Sequence, residues 1–284
     1  ELFRKSVRSF FKKEILPYHE AWELQGHIAR EAWQKTGEQG FLCTGIPEEY
    51  GGSGADFMYS AILIEELAYL GCSGPGFALH SDIVAPYIFH QGSEEQKKNW
   101  LPRMATGEVI TAIAMTEPGT GSDLQAIKTT AKKDGDDYLI NGSKTFITNG
   151  YMSDLVIVVA KTNTDEISLI LVEAKSPGFT KGKPLKKIGM KAQDTCELYF
   201  DNVRVPQSNL LGHPGQGFIY LMQELPQERL LVAIIAIATA EAAQAKAAED
   251  AKIAADAKVK ADAEAAKKAA EDEVFDKDRA MTTI

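Results

Sequence analysis

A glycine- and hydroxyl-rich stretch in the middle of the chain is the first candidate for chemistry. Residues 115–123 read Met-Thr-Glu-Pro-Gly-Thr-Gly-Ser-Asp and follow an apolar run that is typical of a strand. A loop of this composition offers hydroxyl groups and exposed backbone N–H groups, which can hydrogen-bond a phosphate or the edge of a heteroaromatic ring. The alternative is an ordinary turn, because glycine, serine and aspartate are common turn residues. Taken alone, the loop sequence favours the turn.

A single carboxyl group, that of Glu228, is the second candidate. It lies in the stretch 223–229, Gln-Glu-Leu-Pro-Gln-Glu-Arg, and three apolar residues follow at 230–232. A carboxyl group against an apolar wall loses solvation, which raises its pKa and suits it to general-base catalysis. The alternative is a surface glutamate that pairs with Arg229 or Gln223, and without further context this alternative is favoured.

Several other chemistries find no support in the sequence. The stretch at 119–124 lacks the third glycine of a dinucleotide-binding fingerprint, and no GxxxxGK[ST] loop occurs anywhere. The three cysteines, Cys43, Cys72 and Cys196, are far apart, and no two of the five histidines have the i, i+4 spacing that places both on one helix face. We therefore expect neither a disulfide framework nor a metal site.

The hydrophobic periodicity that must position these groups changes along the chain. Apolar residues at three- and four-residue spacings predict an N-terminal all-α helical domain over 1–105. The period is two from 106 to 213, which predicts an antiparallel β-barrel or sandwich domain. Residues 214–243 are predicted as the first helix of a C-terminal helical domain, and 244–284 as an Ala/Lys/Glu-rich helical tail without core-forming side chains. The predicted fold class is α+β and multidomain.

Within the middle domain, turn signals separate short strands. Asp134-Gly135, Asn141-Gly142 and Asn149-Gly150 are dipeptides typical of tight hairpins. The predicted strands are 110–115, 129–133, 138–140, 144–148, 155–160, 167–173 and 197–203.

Composition excludes further classes of function. The chain has 284 residues with 31 basic and 40 acidic side chains, a formal charge of −9, so it offers no broad basic face for nucleic acid. Its longest apolar run, 230–240, is about half of the ~20 residues that a transmembrane helix requires, and we expect no transmembrane segment. The first residues are too charged for a signal peptide, although a removed targeting segment would leave no trace here.

Several short motifs occur in a fixed order along residues 1–243. They are Gly-Ile-Pro-Glu-Glu-Tyr-Gly-Gly (45–52), Glu-Glu-Leu-Ala (65–68), Gly-Ser-Glu-Glu-Gln-Lys (92–97), Leu-Pro-Arg-Met-Ala-Thr-Gly-Glu (101–108), the loop at 115–123, Leu-Ile-Asn-Gly-Ser-Lys-Thr-Phe-Ile-Thr-Asn-Gly (139–150) and Lys-Ala-Gln-Asp-Thr (191–195). Together they closely resemble the acyl-CoA dehydrogenase family, and Leu-Pro-Gln-Glu-Arg-Leu-Leu (225–231) is most similar to its long-chain members.

The resemblance implies a flavoenzyme in which FAD lies between the β-domain and a C-terminal helical bundle. The residues that it assigns to the flavin and its phosphates are Met115, Thr116, Gly121, Ser122, Phe146, Ile147 and Thr148. By the same resemblance Ser122 also reaches the acyl-CoA, and Thr148 hydrogen-bonds near the flavin N5. Phe146 stands where the family often has tryptophan. The alternative for Phe146 and Ile147 is plain β-domain core.

The resemblance also implies the reaction. The family oxidises acyl-CoA thioesters to trans-2-enoyl-CoA in fatty-acid β-oxidation and passes the electrons to an electron-transferring flavoprotein. Its long-chain and isovaleryl-type members carry the base at the helix position of Glu228, and Arg229 matches a substrate-contacting position. We therefore expect an oxidoreductase for a medium- to long-chain acyl-CoA. The family also implies a homodimer or homotetramer, in the bacterial cytoplasm or the mitochondrial matrix.

The resemblance ends near residue 243. Family members continue with helices that hold an Arg-x-x-Phe-Gly motif and complete the flavin site and the tetramer, whereas the tail here is mostly alanine, lysine and acidic residues. Alanine side chains cannot form a wall that buries a flavin and an acyl chain. Two further hypotheses therefore stand beside the dehydrogenase: a catalytically incomplete binding or assembly module, and an acyl-CoA oxidase-like enzyme that passes electrons to oxygen.

Overall fold

The computed structural model describes residues 1–164 and 166–281. The side chains of residues 1–164 and 166–268 are described as well. The chain divides into two compact units, Glu1–Ala238 and Thr239–Ile284, and each is described by itself. The last residues of the predicted tail, 282–284, lie outside the described residues.

Helices form the N-terminal part of the first unit. They are α1 (Leu2–Glu14), α2 (His19–Gln25), α3 (Arg30–Glu38), α4 (Phe57–Tyr69), α5 (Ala85–Gln91) and α6 (Glu94–Ala105). A π-helical turn, Leu79–Val84, leads directly into α5. A capping box begins α6, because the Ser93 hydroxyl accepts the N–H of Gln96 and the Gln96 side chain accepts the N–H of Ser93.

The helices pack around an apolar core that the three- and four-residue spacings predict. On α1 the residues Val7 and Phe11 are fully buried. Arg4 and Arg8 of the same helix both donate to the carboxylate of Glu66 on α4, which is itself fully buried. Apolar contact and the ion pairs from the partly exposed Arg4 and Arg8 to the buried Glu66 thus hold α1 on α4.

One mixed sheet follows the helices. Its strands are β1 (Thr111–Ala114), β2 (Thr130–Asp134), β3 (Asp137–Thr148), β4 (Leu155–Lys161), β5 (Ile167–Glu173), β6 (Phe179–Lys181), β7 (Thr195–Pro206) and β8 (Leu210–Leu211). The order is β6-β7-β3-β2-β4-β5-β8, and β1 pairs with β4. The α+β class is confirmed. The expectation of purely antiparallel pairing is wrong for two pairs, since β1 and β2 each run parallel to β4.

Of the three dipeptides predicted as hairpin turns, only one joins two paired strands. Asp134-Gly135 does form the β2–β3 hairpin, where Asp134 pairs with Asp137. Asn141-Gly142 is not a turn, because 138–140 and 144–148 belong to one strand, β3, with irregular register on either side of Lys144. A Cβ at Gly142 would lie 2.5 Å from Thr129 Oγ1, so the glycine permits a close strand contact here. Asn149-Gly150 is a turn but joins β3 to β4, which do not pair with each other.

A long helix, α7 (Gly217–Met281), follows the sheet. Within Gly217–Lys268 one window of 18 residues has a mean hydropathy of 1.6, and 11% of that window is buried. By length and composition, one helix among the described residues is therefore apolar enough to cross a membrane. The expected absence of such a segment therefore finds no support from hydropathy. The uninterrupted run 230–240 is shorter than the 18-residue window, which tolerates up to two charged residues. One such helix is weak evidence for a membrane span.

Gly37 provides a test of the helical packing. A Cβ at this position of α3 would lie 2.3 Å from the Thr106 carbonyl oxygen, at the end of α6. We expect Gly37→Ala to lower the free energy of unfolding by about 1–3 kcal/mol, since overpacking outweighs the better helix propensity of alanine. Urea unfolding followed by circular dichroism measures this.

Gly189→Ala is the matched control, because a Cβ there meets nothing within 4 Å and its φ is not in the left-handed region. Its effect should stay within about 0.5 kcal/mol. Equal losses in the two variants would contradict the packing account.

Candidate functional site

The two segments that the sequence singled out in the middle domain lie side by side. The loop 115–123 begins where β1 ends, and the segment 144–148 is the last part of β3. The N–H of Thr145 donates to the carbonyl of Thr116 at 2.9 Å, and Lys144 Nζ donates to the carbonyl of Met115 at 2.9 Å. The backbone at the start of the loop is therefore fixed on β3.

A buried ion pair fixes the next residue of the loop. Lys144 Nζ lies 2.9 Å from Glu117 Oε1, and the two side chains are only 0% and 5% exposed. Glu117 also accepts the N–H groups of Lys128 at 2.6 Å and Thr129 at 2.9 Å. Burial lowers the pKa of Lys144 to about 8 against the opposing effect of Glu117. Burial acts to raise the pKa of Glu117, but its hydrogen bonds outweigh burial and hold that pKa below its usual range. Both groups are therefore charged at neutral pH.

Sequence reasoning missed this pair, although both residues stand inside the motifs that it quoted. The available signal was a lysine among the apolar residues of a predicted strand, where an unpaired charge is costly.

The tip of the loop is open. Glu117 and Thr120 exchange backbone hydrogen bonds across a tight turn, and Thr120 Oγ1 donates to the carbonyl of Ala126. Beyond this turn Gly121 and Ser122 are exposed, and a Cβ at Gly121 would meet no heavy atom within 4 Å. The loop thus has a rigid base and an open, hydroxyl-bearing tip that a phosphate can approach.

Phe146 is presented to solvent next to this loop. It is 66% exposed and has a φ of +58°. The register between β3 and β7 shifts between Lys144 and Ile147, which indicates a β-bulge at this point. A non-glycine residue keeps such a backbone only where its surroundings impose it. The core alternative therefore fails for Phe146. It holds for Ile147, whose side chain is buried, while Thr148 is half-buried.

Glu228 lies on α7, and its carboxyl group contacts α5. Glu228 Oε1 accepts a hydrogen bond of 2.9 Å from the hydroxyl of Tyr87. Burial raises the pKa of Glu228, the Tyr87 bond opposes this, and the nearby Glu224 carboxylate raises it further. The pairing with Arg229 or Gln223 is not formed. Of the three apolar residues predicted to form a wall, Leu231 is buried, whereas Leu230 and Val232 are 48% and 65% exposed. The contact with Tyr87 of α5 is one that local sequence does not reveal.

A second bond joins the same two helices one turn away. His90 Nδ1 on α5 donates to Glu224 Oε1 at 2.6 Å, and the pairing raises the pKa of His90. The side chain of Gln227 donates to the carbonyl of Asp82 in the π-helical turn at 2.7 Å. Sequence reasoning missed this group as well. The available signal was the spacing of the residues on each helix: Tyr87 and His90 are three apart, and Glu224 and Glu228 are four apart. Residues at these spacings lie on one face of a helix.

The two groups of residues are connected through the π-helical turn. His80, near the start of that turn, contacts the Thr111 hydroxyl at the start of β1 through Nδ1 at 2.8 Å. The turn continues into α5, which carries Tyr87 to Glu228. No hydrogen bond joins Glu228 directly to 115–123 or 144–148 in the part of the chain that the structure describes. Arg229, the predicted substrate contact, is exposed beside Glu228.

His80 and His90 take part in this arrangement through hydrogen bonds, whereas no cysteine thiol in the described part of the chain does. Cys43, Cys72 and Cys196 are buried and not joined in a disulfide. Among the described residues, no three His, Cys, Asp or Glu side chains are grouped so as to hold a metal ion.

Two family models match most of the first unit. Residues 1–108 match the acyl-CoA dehydrogenase N-terminal domain, and residues 112–203 match the acyl-CoA dehydrogenase middle domain. The matched regions contain the loop 115–123 and the segment 144–148, and they end before α7.

Individual relatives extend the match into α7. The mitochondrial long-chain specific acyl-CoA dehydrogenase of Sus scrofa is 57% identical over 247 residues, which cover 85% of this chain and 57% of the relative. The crystal structure of an acyl-CoA dehydrogenase from Geobacillus kaustophilus is 54% identical with a TM-score of 0.83, covering 85% of this chain and 65% of that one. An acyl-CoA dehydrogenase from Bacillus anthracis, complexed with FAD, is 34% identical with a TM-score of 0.78, covering 84% and 41%. The chain spans just over half of the mammalian relative's length.

Removing one charge of the buried pair tests its role in the loop. We expect Glu117→Gln to lower the free energy of unfolding by about 3–5 kcal/mol at pH 7, because it leaves the ammonium of Lys144 buried without a counter-charge. Urea unfolding is the measurement. Glu108→Gln, which breaks the exposed Arg103–Glu108 pair, is the control and should cost no more than about 1 kcal/mol. A similar small cost for Glu117→Gln would show that the buried pair does not hold the loop.

Proposed function

Since this chain belongs to the acyl-CoA dehydrogenase family, we propose that it binds FAD and supplies the base for the α,β-dehydrogenation of an acyl-CoA. One observation carries the proposal. An open loop with hydroxyl and N–H donors lies beside an aromatic side chain, Phe146, that the backbone holds out of the core. A planar, phosphate-bearing ligand suits such a surface.

The residues present fit FAD. The backbone and hydroxyl groups of Met115, Thr116, Gly121 and Ser122 would hold its phosphates and ring edge, and the exposed ring of Phe146 would pack against its ring system. Ile147 would contribute its backbone only, because its side chain is buried. The half-buried Thr148 would hydrogen-bond near the reacting nitrogen. FAD, when bound, supplies the acceptor for the hydride.

Glu228 would take the proton from the α-carbon of the thioester. Its raised pKa brings its basicity closer to what the weakly acidic α-proton requires. A flavin bound here would supply the acceptor for the β-hydrogen and its electron pair, and by similarity to the family the product would be trans-2-enoyl-CoA. Ser122 and Arg229, both exposed, would contact the acyl-CoA. The similarity to a long-chain enzyme supports a medium- to long-chain substrate of β-oxidation.

The partners and setting belong to the same proposal. They are an electron-transferring flavoprotein as acceptor, a homodimer or homotetramer, and a location in the bacterial cytoplasm or mitochondrial matrix. Exposed apolar side chains on α7, among them Ile219, Val232 and Ile237, support assembly with further chain or a second copy. The domain limits 1–105, 106–213, 214–243 and 244–284 stay predictions.

One observation favours the catalytically incomplete module as a second candidate. In the second unit, every described side chain from Thr239 to Lys268 is exposed except the half-buried Ala242. These side chains are mostly alanine, lysine and acidic residues, which lack the apolar bulk of a flavin- or acyl-binding wall. The spectra below separate the two candidates. Oxygen consumption during turnover would instead identify the oxidase-like enzyme.

Adding FAD to the purified chain is the first test. We expect flavin absorbance to remain with the protein after gel filtration. We also expect Phe146→Ala to weaken FAD binding by about three- to tenfold, since ring stacking contributes ~0.5–1.5 kcal/mol. Phe146→Trp, which keeps an aromatic face, should bind FAD as the parent chain does. If the parent chain is colourless after incubation with excess FAD and gel filtration, the flavoenzyme is excluded and the binding module is left as the candidate.

Anaerobic addition of a long-chain acyl-CoA tests the base. Bleaching of the flavin bands is expected, and Glu228→Gln should slow it by about 10²–10⁴-fold while FAD stays bound, because general-base assistance is lost. Normal bleaching in Glu228→Gln would refute the base assignment. Bound FAD that no acyl-CoA bleaches, even in the parent chain, would identify the incomplete module.

A further inference from the structure

We propose that Tyr87 is a positioning residue for the base: its hydroxyl fixes one oxygen of Glu228 and holds the carboxylate ionised with the other oxygen free to accept a proton. The proposal rests on the proposed function, in which Glu228 is that base. It starts from a single bond, the 2.9 Å contact from Tyr87 to Glu228 Oε1, which joins two helices far apart in sequence.

The donor is rigid and the acceptor is not. Tyr87 is fully buried in the helical core, so its ring cannot leave its position without opening that core. Two further bonds fix α5 and the π-helical turn against α7, from His90 to Glu224 and from Gln227 to the carbonyl of Asp82. A glutamate side chain, by contrast, has three rotatable bonds. Tyr87 therefore selects one orientation of the Glu228 carboxylate.

The two oxygens of Glu228 are in different situations. Oε1 accepts the Tyr87 hydrogen bond. Oε2 has no hydrogen-bond partner in the described part of the chain, and it is not fully buried. A carboxylate held in this way can receive a proton on Oε2 without giving up its bond to Tyr87. The base would then keep its orientation before and after the transfer.

The charges around Glu228 show why a donor is needed. From α5, Tyr87 and His90 face this region, and from α7, Glu224 and Arg229. Burial and the Glu224 carboxylate raise the pKa of Glu228, while Tyr87 and Arg229 oppose them. The pKa of Tyr87 is itself raised by burial and by Glu228, so its hydroxyl stays protonated across the working range. Tyr87 is thus a donor at every relevant pH, unlike His90.

The test titrates Glu228 directly in the whole chain. Carbon NMR of a chain labelled at the glutamate carboxyls follows each group with pH, and Glu228→Gln identifies the Glu228 signal by its loss. Tyr87→Phe removes one oxygen atom, and we expect it to shift the midpoint of the Glu228 titration to higher pH. An unchanged or lower midpoint would overturn the proposal.

The matched control is Tyr50→Phe. Tyr50 also donates to a glutamate, Glu94, at 2.8 Å, and it forms no hydrogen bond with Glu228 in the described part of the chain. This variant should leave the Glu228 midpoint where it is in the parent chain. A general effect of removing any buried tyrosine hydroxyl would instead shift Glu228 in both variants and overturn the assignment to Tyr87.

A second measurement covers the case in which Tyr87→Phe does not fold. In the parent chain, the bonded Tyr87 hydroxyl proton should give a slowly exchanging resonance that moves when Glu228 titrates. A hydroxyl resonance that is insensitive to this titration would overturn the proposal.

The outcome is separable from that of the proposed function, because the titration needs neither FAD nor substrate. A midpoint that shifts in a chain whose flavin is never bleached would support the positioning and reject the reaction. Where the parent chain does bleach, Tyr87→Phe should move the acid limb of the pH–rate profile to higher pH, since a base with a higher pKa is ionised only at higher pH. An unmoved acid limb would overturn the proposal.

Discussion

The bond between Lys144 and Glu117 is the interaction on which the candidate flavin surface depends. It joins the end of β3 to the loop after β1, and Glu117 in turn accepts the N–H groups of Lys128 and Thr129 just before β2. Three segments that are separate in sequence therefore meet at one carboxylate. Because both side chains are buried, either charge without its partner would lower the stability of the fold. The loop therefore cannot move away from the strand without leaving both charges unpaired or exposing them to water. At the tip of the loop Gly119, Gly121 and Ser122 are left exposed, whereas Thr120 between them is buried.

The helical side of the site is fixed by a neutral histidine rather than by a charge. Burial lowers the pKa of His80 to about 4, so its ring is neutral at physiological pH. Its Nε2 lies 3.0 Å from the carbonyl of Met104 and must donate, which leaves Nδ1 to accept from the hydroxyl of Thr111. The turn that contains His80 is thereby tied to β1 at one end and, through α5, to Glu228 on α7 at the other.

The sequence predicts the local features of this fold and misses the long-range ones. The Asp134-Gly135 hairpin follows from neighbouring residues, and the structure confirms it. The alternation predicted for the middle domain is not found in β4 and β5, which are buried along nearly their whole length. The dipeptide Asn141-Gly142 is typical of a hairpin, but here the glycine lies within a strand because Thr129 approaches it closely. That approach is a tertiary contact, which the local sequence does not show. Motif resemblance located Glu228 and Phe146 but not their environments. The donor to Glu228 lies 141 residues away on another helix, and no periodicity encodes such a contact.

The solvation of Glu228 links the base to the uncovered side of α7. Leu221 and Leu231 on this helix are buried, whereas Val232, one turn after Glu228, and Leu230 are exposed. The helix is thus apolar on more than the face that its present neighbours cover, and this also explains its high mean hydropathy. A further apolar layer on the uncovered side would remove water from the same carboxylate that Tyr87 holds. The pKa of Glu228 would then rise further, because its ionised form would lose solvation.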